Sequence, residues 1–106
     1  MLCRQIPSVK KNQHVRFKLL QNYPNPFNPT TTIHYNLYEN TLVNIVIYDL
    51  NGNKVKNLVS DYQNVGQKVI QWDAKNDQNH LVAAGVYFYN FQAGGYSQTK
   101  KMLLLK

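Results

Sequence analysis

From Phe17 onward, apolar and polar residues alternate with a period of two, in short blocks separated by polar or glycine-containing breaks. The block Gly85 to Ala93 is apolar on both sides, with Val86 and Phe88 facing one way and Tyr87, Tyr89 and Phe91 the other. Such a run is too short for a buried helix and reads as a strand with a neighbour on each edge. Thr30 to Leu37 alternates strictly, with Ile33, Tyr35 and Leu37 on one side and Thr32, His34 and Asn36 on the other, as a half-exposed strand does. Leu42 to Tyr48 repeats the pattern with Val43, Ile45 and Ile47 inward, and Asn51-Gly52 before Lys54 to Val59 is a strong hairpin signal.

The remaining blocks are shorter. Phe17 and Leu19 make a first strand that runs into Asn22-Tyr23-Pro24-Asn25-Pro26-Phe27-Asn28-Pro29. Three prolines there fix φ and remove amide donors, which predicts a stiff irregular loop pinned to the core by Tyr23 and Phe27. Asp61 to Gly66 reads as a polar connection ended by a glycine suited to positive φ. Ile70 and Trp72 follow on one face, with the stem of Lys68 beside them. Asp73 to His80 is turn-rich, Gly94-Gly95 is a turn, and Tyr96 to Leu105 is the last strand. Its parity is ambiguous, because Met102 and Leu104 alternate with Leu103 and Leu105.

About seven strands at roughly ten-residue spacing, with no amphipathic helical stretch, predict an all-β fold, an immunoglobulin-like antiparallel β-sandwich. Ile45, Ile47, Trp72, Val86, Tyr87 and Tyr89 are the expected core. Residues 1–16 are polar and basic without periodicity, and are expected to be a linker or disordered leader before a single domain over 17–106.

Eight Tyr, four Phe and one Trp supply that core, and a lone Cys3 leaves packing to hold it without a disulfide framework. The formal charge of +7 would suggest a nucleic-acid partner if it were concentrated on one face. Instead Arg4, Lys10, Lys11, Arg16 and Lys18 lie at one end, Lys100, Lys101 and Lys106 at the other, and the body is near neutral. Nucleic acid is therefore not the expected partner. No apolar run reaches membrane-spanning length, so membrane insertion is not expected either. Met1 to Lys11 lacks the apolar stretch of an export signal.

Catalysis needs convergent groups, and His14, His34 and His80 are widely spaced, with no nucleophile motif and no phosphate loop. Neither an enzyme nor a cofactor is expected. Asp73 to Asn79 is the best calcium-loop candidate, but Lys75 stands where an oxygen is needed and Gln78 where the turn needs Gly, so no metal is expected.

Five ordered motifs carry a family resemblance. They are Leu20-Gln-Asn-Tyr-Pro-Asn-Pro-Phe-Asn-Pro-Thr-Thr, Ile47-Tyr-Asp-Leu-Asn-Gly, Gly66 with Trp72-Asp73, Ala84-Gly-Val-Tyr-Phe-Tyr, and Lys100-Lys-Met-Leu-Leu-Leu-Lys106. Together they resemble the C-terminal sorting domain of the type IX secretion system from Phe17 to Lys106, and are also similar to the immunoglobulin-like domain of flagellar hook-capping proteins. The resemblance implies a non-catalytic carrier of an attached cargo, read in the periplasm by an outer-membrane translocon. A cell-surface sortase would then remove it, anchoring or releasing the cargo.

By the same resemblance, Lys101, Met102, Leu103, Leu104, Leu105 and Lys106 match the segment used in translocon recognition. Asn22 to Pro29 matches the family's signature loop, and the cut would fall before Phe17. A main-chain docking of the translocon onto the terminal strand at an open sheet edge is the expected mode. Ala74 and Asn79 stand where the family often has Gly, and Ala84 where it often has Ser. Without an export signal, the chain is read as a fragment, a truncated product or an expressed domain. The competing expectation is a carbohydrate- or surface-binding module that displays Tyr38, Tyr62 and Tyr96.

Overall fold

The computed structural model describes residues 17–105, and the expected leader and Lys106 lie outside them. Among the described residues there are seven strands and no helix. They are β1 (Phe17–Leu19), β2 (Thr31–Leu37), β3 (Thr41–Asp49), β4 (Lys54–Gln63), β5 (Gly66–Trp72), β6 (Gly85–Ala93) and β7 (Tyr96–Leu104). They form two antiparallel sheets, one ordered β1-β2-β5 and the other β4-β3-β6-β7. The inner faces pack together as a β-sandwich, the fold that the strand spacing predicts.

The alternation decides which residues face inward. Ile33, Tyr35 and Leu37 from β2 are buried against Val43, Ile45 and Ile47 from β3 and Tyr87, Tyr89, Phe91 and Ala93 from β6. Ring contacts stitch the two layers: Tyr35 lies 5.1 Å from Phe91, Phe17 4.6 Å from Phe91, and Trp72 5.4 Å from Tyr87. Offset and edge-on aromatic pairs at these separations add to the burial of their own area. Val86 is the exception among the expected core residues. It lies half-buried on the opposite side of β6 from Tyr87 and Tyr89.

Turn chemistry fixes the registers. At the β3–β4 hairpin the Asp49 carboxylate accepts from the Asn51 and Asn53 amides, both at 2.9 Å, and Gly52 takes φ 86°. Gly94 and Gly95, at φ 56° and 85°, make the two-residue turn that aligns Ala93 with Tyr96. Gly66 has φ 140°, and Val65 donates to the Asn40 side chain at 2.8 Å beside it.

The polar connection expected over Asp61 to Gly66 is shorter than that. β4 continues to Gln63, pairing Val43 with Asp61 and Thr41 with Gln63. An edge strand exposes one face and one row of backbone groups, so polar side chains cost it little and hide it from a pattern search. The last strand has a definite parity: Met102 and Leu104 are 1% exposed, while Leu103 and Leu105 are 37% and 57% exposed.

Ala74 and Asn79 adopt φ 64° and 68°, a left-handed conformation that costs a residue with a Cβ about 1–2 kcal/mol. Both stand where the resemblance implies Gly, which adopts this conformation without that penalty. Asn79 tolerates this conformation better than alanine does. Asn79→Ala should lower stability by about 1 kcal/mol, roughly 4–8 °C in melting temperature, whereas Asn79→Gly should hold or raise it. Equal melting temperatures for the two variants would refute the strain.

Candidate functional site

The two segments singled out by sequence, the Asn22 to Pro29 loop and the end of the chain, meet along the outer edge of β7. Their backbones bridge in parallel at Phe27 and Leu104. The Phe27 amide donates to the Leu103 carbonyl at 3.0 Å, and the Leu105 amide donates to the Phe27 carbonyl at 2.8 Å. The Asn25 side-chain oxygen accepts from the Leu103 amide at 3.0 Å, and the Gln21 amide group donates to the Lys101 carbonyl at 2.9 Å. Asn25 and Leu103 are 78 positions apart in the chain.

The loop can do this because little of its backbone bonds to itself. Pro24, Pro26 and Pro29 have no amide to donate, so a local ladder cannot form. All three Xaa-Pro bonds of the loop are cis. Anchors come from outside the loop. Tyr23 exchanges a pair of 2.9 Å bonds with Thr32, and the Asn22 amide donates to the Tyr89 hydroxyl at 2.9 Å. That hydroxyl in turn donates to the Leu20 carbonyl at 2.9 Å. Asn22, buried, donates from its side chain to Thr31 Oγ1 at 2.9 Å, and Thr31 Oγ1 donates to the Pro24 carbonyl at 2.8 Å.

Phe27 supplies the apolar anchor, 1% exposed and 5.8 Å from the Trp72 ring. Trp72 is fixed by its own indole N–H, which donates to the Lys75 carbonyl at 2.9 Å. Tyr23 does not share the anchoring expected of it, since its ring is 76% exposed and only its backbone joins the sheet. The terminal segment also differs from the open edge that main-chain docking requires. From Lys101 to Leu105 the outward backbone groups named above are already bonded to Gln21, Asn25 and Phe27. Side-chain alternation gave no sign of this, because it reports faces and not edges.

At the outer face of this joint, Lys101 and Leu103 are exposed beside half-buried Val86, with a hollow of about 170 Å³ lined by these residues, Asn25 and Met102. The other candidates lie apart. Asp77 accepts from the Asn57 amide, and Asn76 accepts from the Gln78 and His80 amides, so these oxygens of the calcium-loop candidate hold backbone. No group of three or more His, Cys, Asp or Glu residues placed to hold a metal occurs among the described residues. Tyr38, Tyr62 and Tyr96 are all exposed, and the Tyr96 ring stands edge-on to Phe17 at 6.1 Å.

Among the described residues the class of protein the geometry defines is an all-β sandwich whose terminal strand is clasped by a proline-rich loop. The chain belongs to the secretion system C-terminal sorting domain family, whose model matches residues 21–105. A sorting-signal domain of this kind is non-catalytic in itself.

Solved structures with this fold include dimeric latent PorU from Porphyromonas gingivalis, at 21% identity and TM-score 0.68, covering 83% of this chain and 9% of that one. PorZ, a surface component of the type-IX secretion system of the same organism, matches at 22% identity and TM-score 0.60 over 81% of this chain and 11% of that one. The Pseudomonas fluorescens alkylpurine DNA glycosylase AlkC, bound to DNA containing an abasic site analog, matches at 15% identity and TM-score 0.54, over 84% of this chain and 30% of that one. At these identities the likeness is one of fold, and the chain spans only a small part of each. No curated protein matches it.

Burial pushes the Tyr89 phenol up to about 12 from its ordinary 10.0, opposed by the bond from the Asn22 amide. Tyr35 and Tyr87 are raised as well, again chiefly by burial. A folded-state pKa above the unfolded one gives stability that is complete below pH 10 and lost as pH climbs toward 12. Tyr89→Phe removes both hydroxyl bonds and should cost about 1–3 kcal/mol in urea denaturation at neutral pH. Its stability should also fall less steeply across the alkaline range than that of the unaltered chain. A parallel decline in both would contradict the assignment.

Proposed function

We propose that the clasped joint of the Asn22 to Pro29 loop with Lys101 to Leu105, together with the Lys106 that follows in the sequence, is the surface by which the type IX secretion machinery recognises this domain. The observation that carries the reading is the pair of main-chain bonds joining Phe27 to Leu103 and Leu105, which brings both family-implied segments into one place. An outer-membrane translocon is the first partner, and a cell-surface sortase acting before Phe17 is the second. The attached cargo is the passenger. It passes through the periplasm and finishes at the cell surface or outside the cell.

The exposed features of the joint suit such a role. Lys101 offers a cation, Leu103 and Leu105 offer partly exposed apolar side chains, and the backbone beneath them is held on both sides. A rigid display of this kind lowers the ordering cost that a free tail would bring to docking. No metal or cofactor is required.

The test is a reporter carrying an export signal at its front and residues 1–106 at its end, made in a bacterium with a type IX system. The reporter should reach the surface, where external protease digests it. Removing Leu103 to Lys106 should leave it in the periplasm, with surface exposure reduced by at least about tenfold, as losing about 1.4 kcal/mol of recognition gives. Undiminished surface display after the deletion would overturn the proposal.

A further inference from the structure

The clasp covers only the end of the β7 edge. Its bonds show which residues turn their backbone outward: Lys101, Leu103 and Leu105 face the loop, so by strand alternation Thr99 and Ser97 face the same way. Among the described residues nothing pairs with that outward row between the Gly94-Gly95 turn and the bond from Gln21 to Lys101. The stretch has neither proline nor register shift, and Ser97, Gln98 and Thr99 are all exposed.

The other edge strands differ. β1 is three residues long. β4 has two register shifts, and the loop after β5 covers part of it, with Asp77 bonded to Val55 and Asn57. β5 contains none of the residues in the two recognition segments.

We infer that Ser97 to Lys101 is a strand-addition site, at which an extended, acidic segment of the secretion machinery pairs with β7 and becomes the fifth strand of its sheet. This rests on the sorting reading and locates the main-chain contact upstream of the clasp. The Ser97 and Thr99 N–H and C=O groups, with the Lys101 N–H, supply the ladder. Specificity comes from the solvent face, where the open stretch lies between two hollows. One of about 450 Å³ is lined by Asn44, Gln92, Gly95 and Ser97 among others, and the smaller one lies beside Lys101, Val86 and Leu103. Lys101, which lines the second hollow, sets the preference for a carboxylate there.

A proline at Thr99 tests this, because it deletes an outward N–H while leaving the main-chain bonds to β6 to the neighbouring residues; it also removes the side-chain bond that Thr99 Oγ1 accepts from Asn90 at 2.8 Å, and edge strands tolerate proline at an outward N–H. In the reporter assay, Thr99→Pro with an unchanged melting temperature should reduce surface display by about tenfold, the equivalent of about 1.4 kcal/mol of docking. If Thr99→Pro unfolds the domain, Ser97→Pro, on the same edge and nearer the turn, takes its place. Display within twofold of the unaltered chain by a folded proline variant overturns strand addition. If deletion of Leu103 to Lys106 still abolishes display in that experiment, the sorting reading survives. Failure of the unaltered chain to reach the surface would instead sink the sorting reading itself.

Discussion

Phe27 is held in two ways at once: its backbone bonds to Leu103 and Leu105, and its ring is buried against Trp72. Neither hold would suffice alone. A single exposed pair of main-chain bonds contributes little net stability, about 0.5–1.5 kcal/mol each, because water competes for the same groups. A buried phenylalanine contributes more, but nothing in its contact area dictates a register. Together they fix both the depth of the loop and its alignment along β7. The prolines on either side stiffen the unfolded loop, so less conformational freedom is lost when it docks.

The buried tyrosines extend this arrangement through the sandwich. Each sends its ring into the core and its hydroxyl to a connecting segment or a strand end: Tyr89 to Leu20, Tyr87 to the Ala83 carbonyl at 2.6 Å, and Tyr35 to the Gln63 side chain at 2.7 Å. A phenol buried without a partner would cost about 1–3 kcal/mol, so each ring position demands that its loop be in place. Loop placement and core packing are therefore coupled. The first loop, the segment before β6 and the end of β4 are all tied to the same aromatic layer.

Most of the strands were legible because period-two alternation is a direct consequence of burying one face. Ile33, Tyr35 and Leu37, and Val43, Ile45 and Ile47, could be placed inward from sequence alone, and the glycine turns gave the hairpins. Three features were hidden. Edge strands such as the second half of β4 carry polar side chains that resemble a loop. The parity of Met102 to Leu105 had no local answer, because all four residues are apolar; it is set by the pairing of Tyr87 with Met102 and Gly85 with Leu104. The clasp was the least visible feature. It joins main-chain atoms across 78 positions through an Asn side chain whose local sequence suggests only a turn.

The clasp also constrains what the terminal residues are when the domain is folded. Met102 and Leu104 are buried, and their alignment comes from β6 on one side and from the first loop on the other. Both neighbours are remote in sequence, so the shape of this segment is a property of the completed sandwich. In an unfolded chain the same residues are an apolar, basic peptide with no preferred face. The lysine and leucines that face solvent at the joint therefore take up their relative positions only after the first loop, the central strand and the last strand have come together.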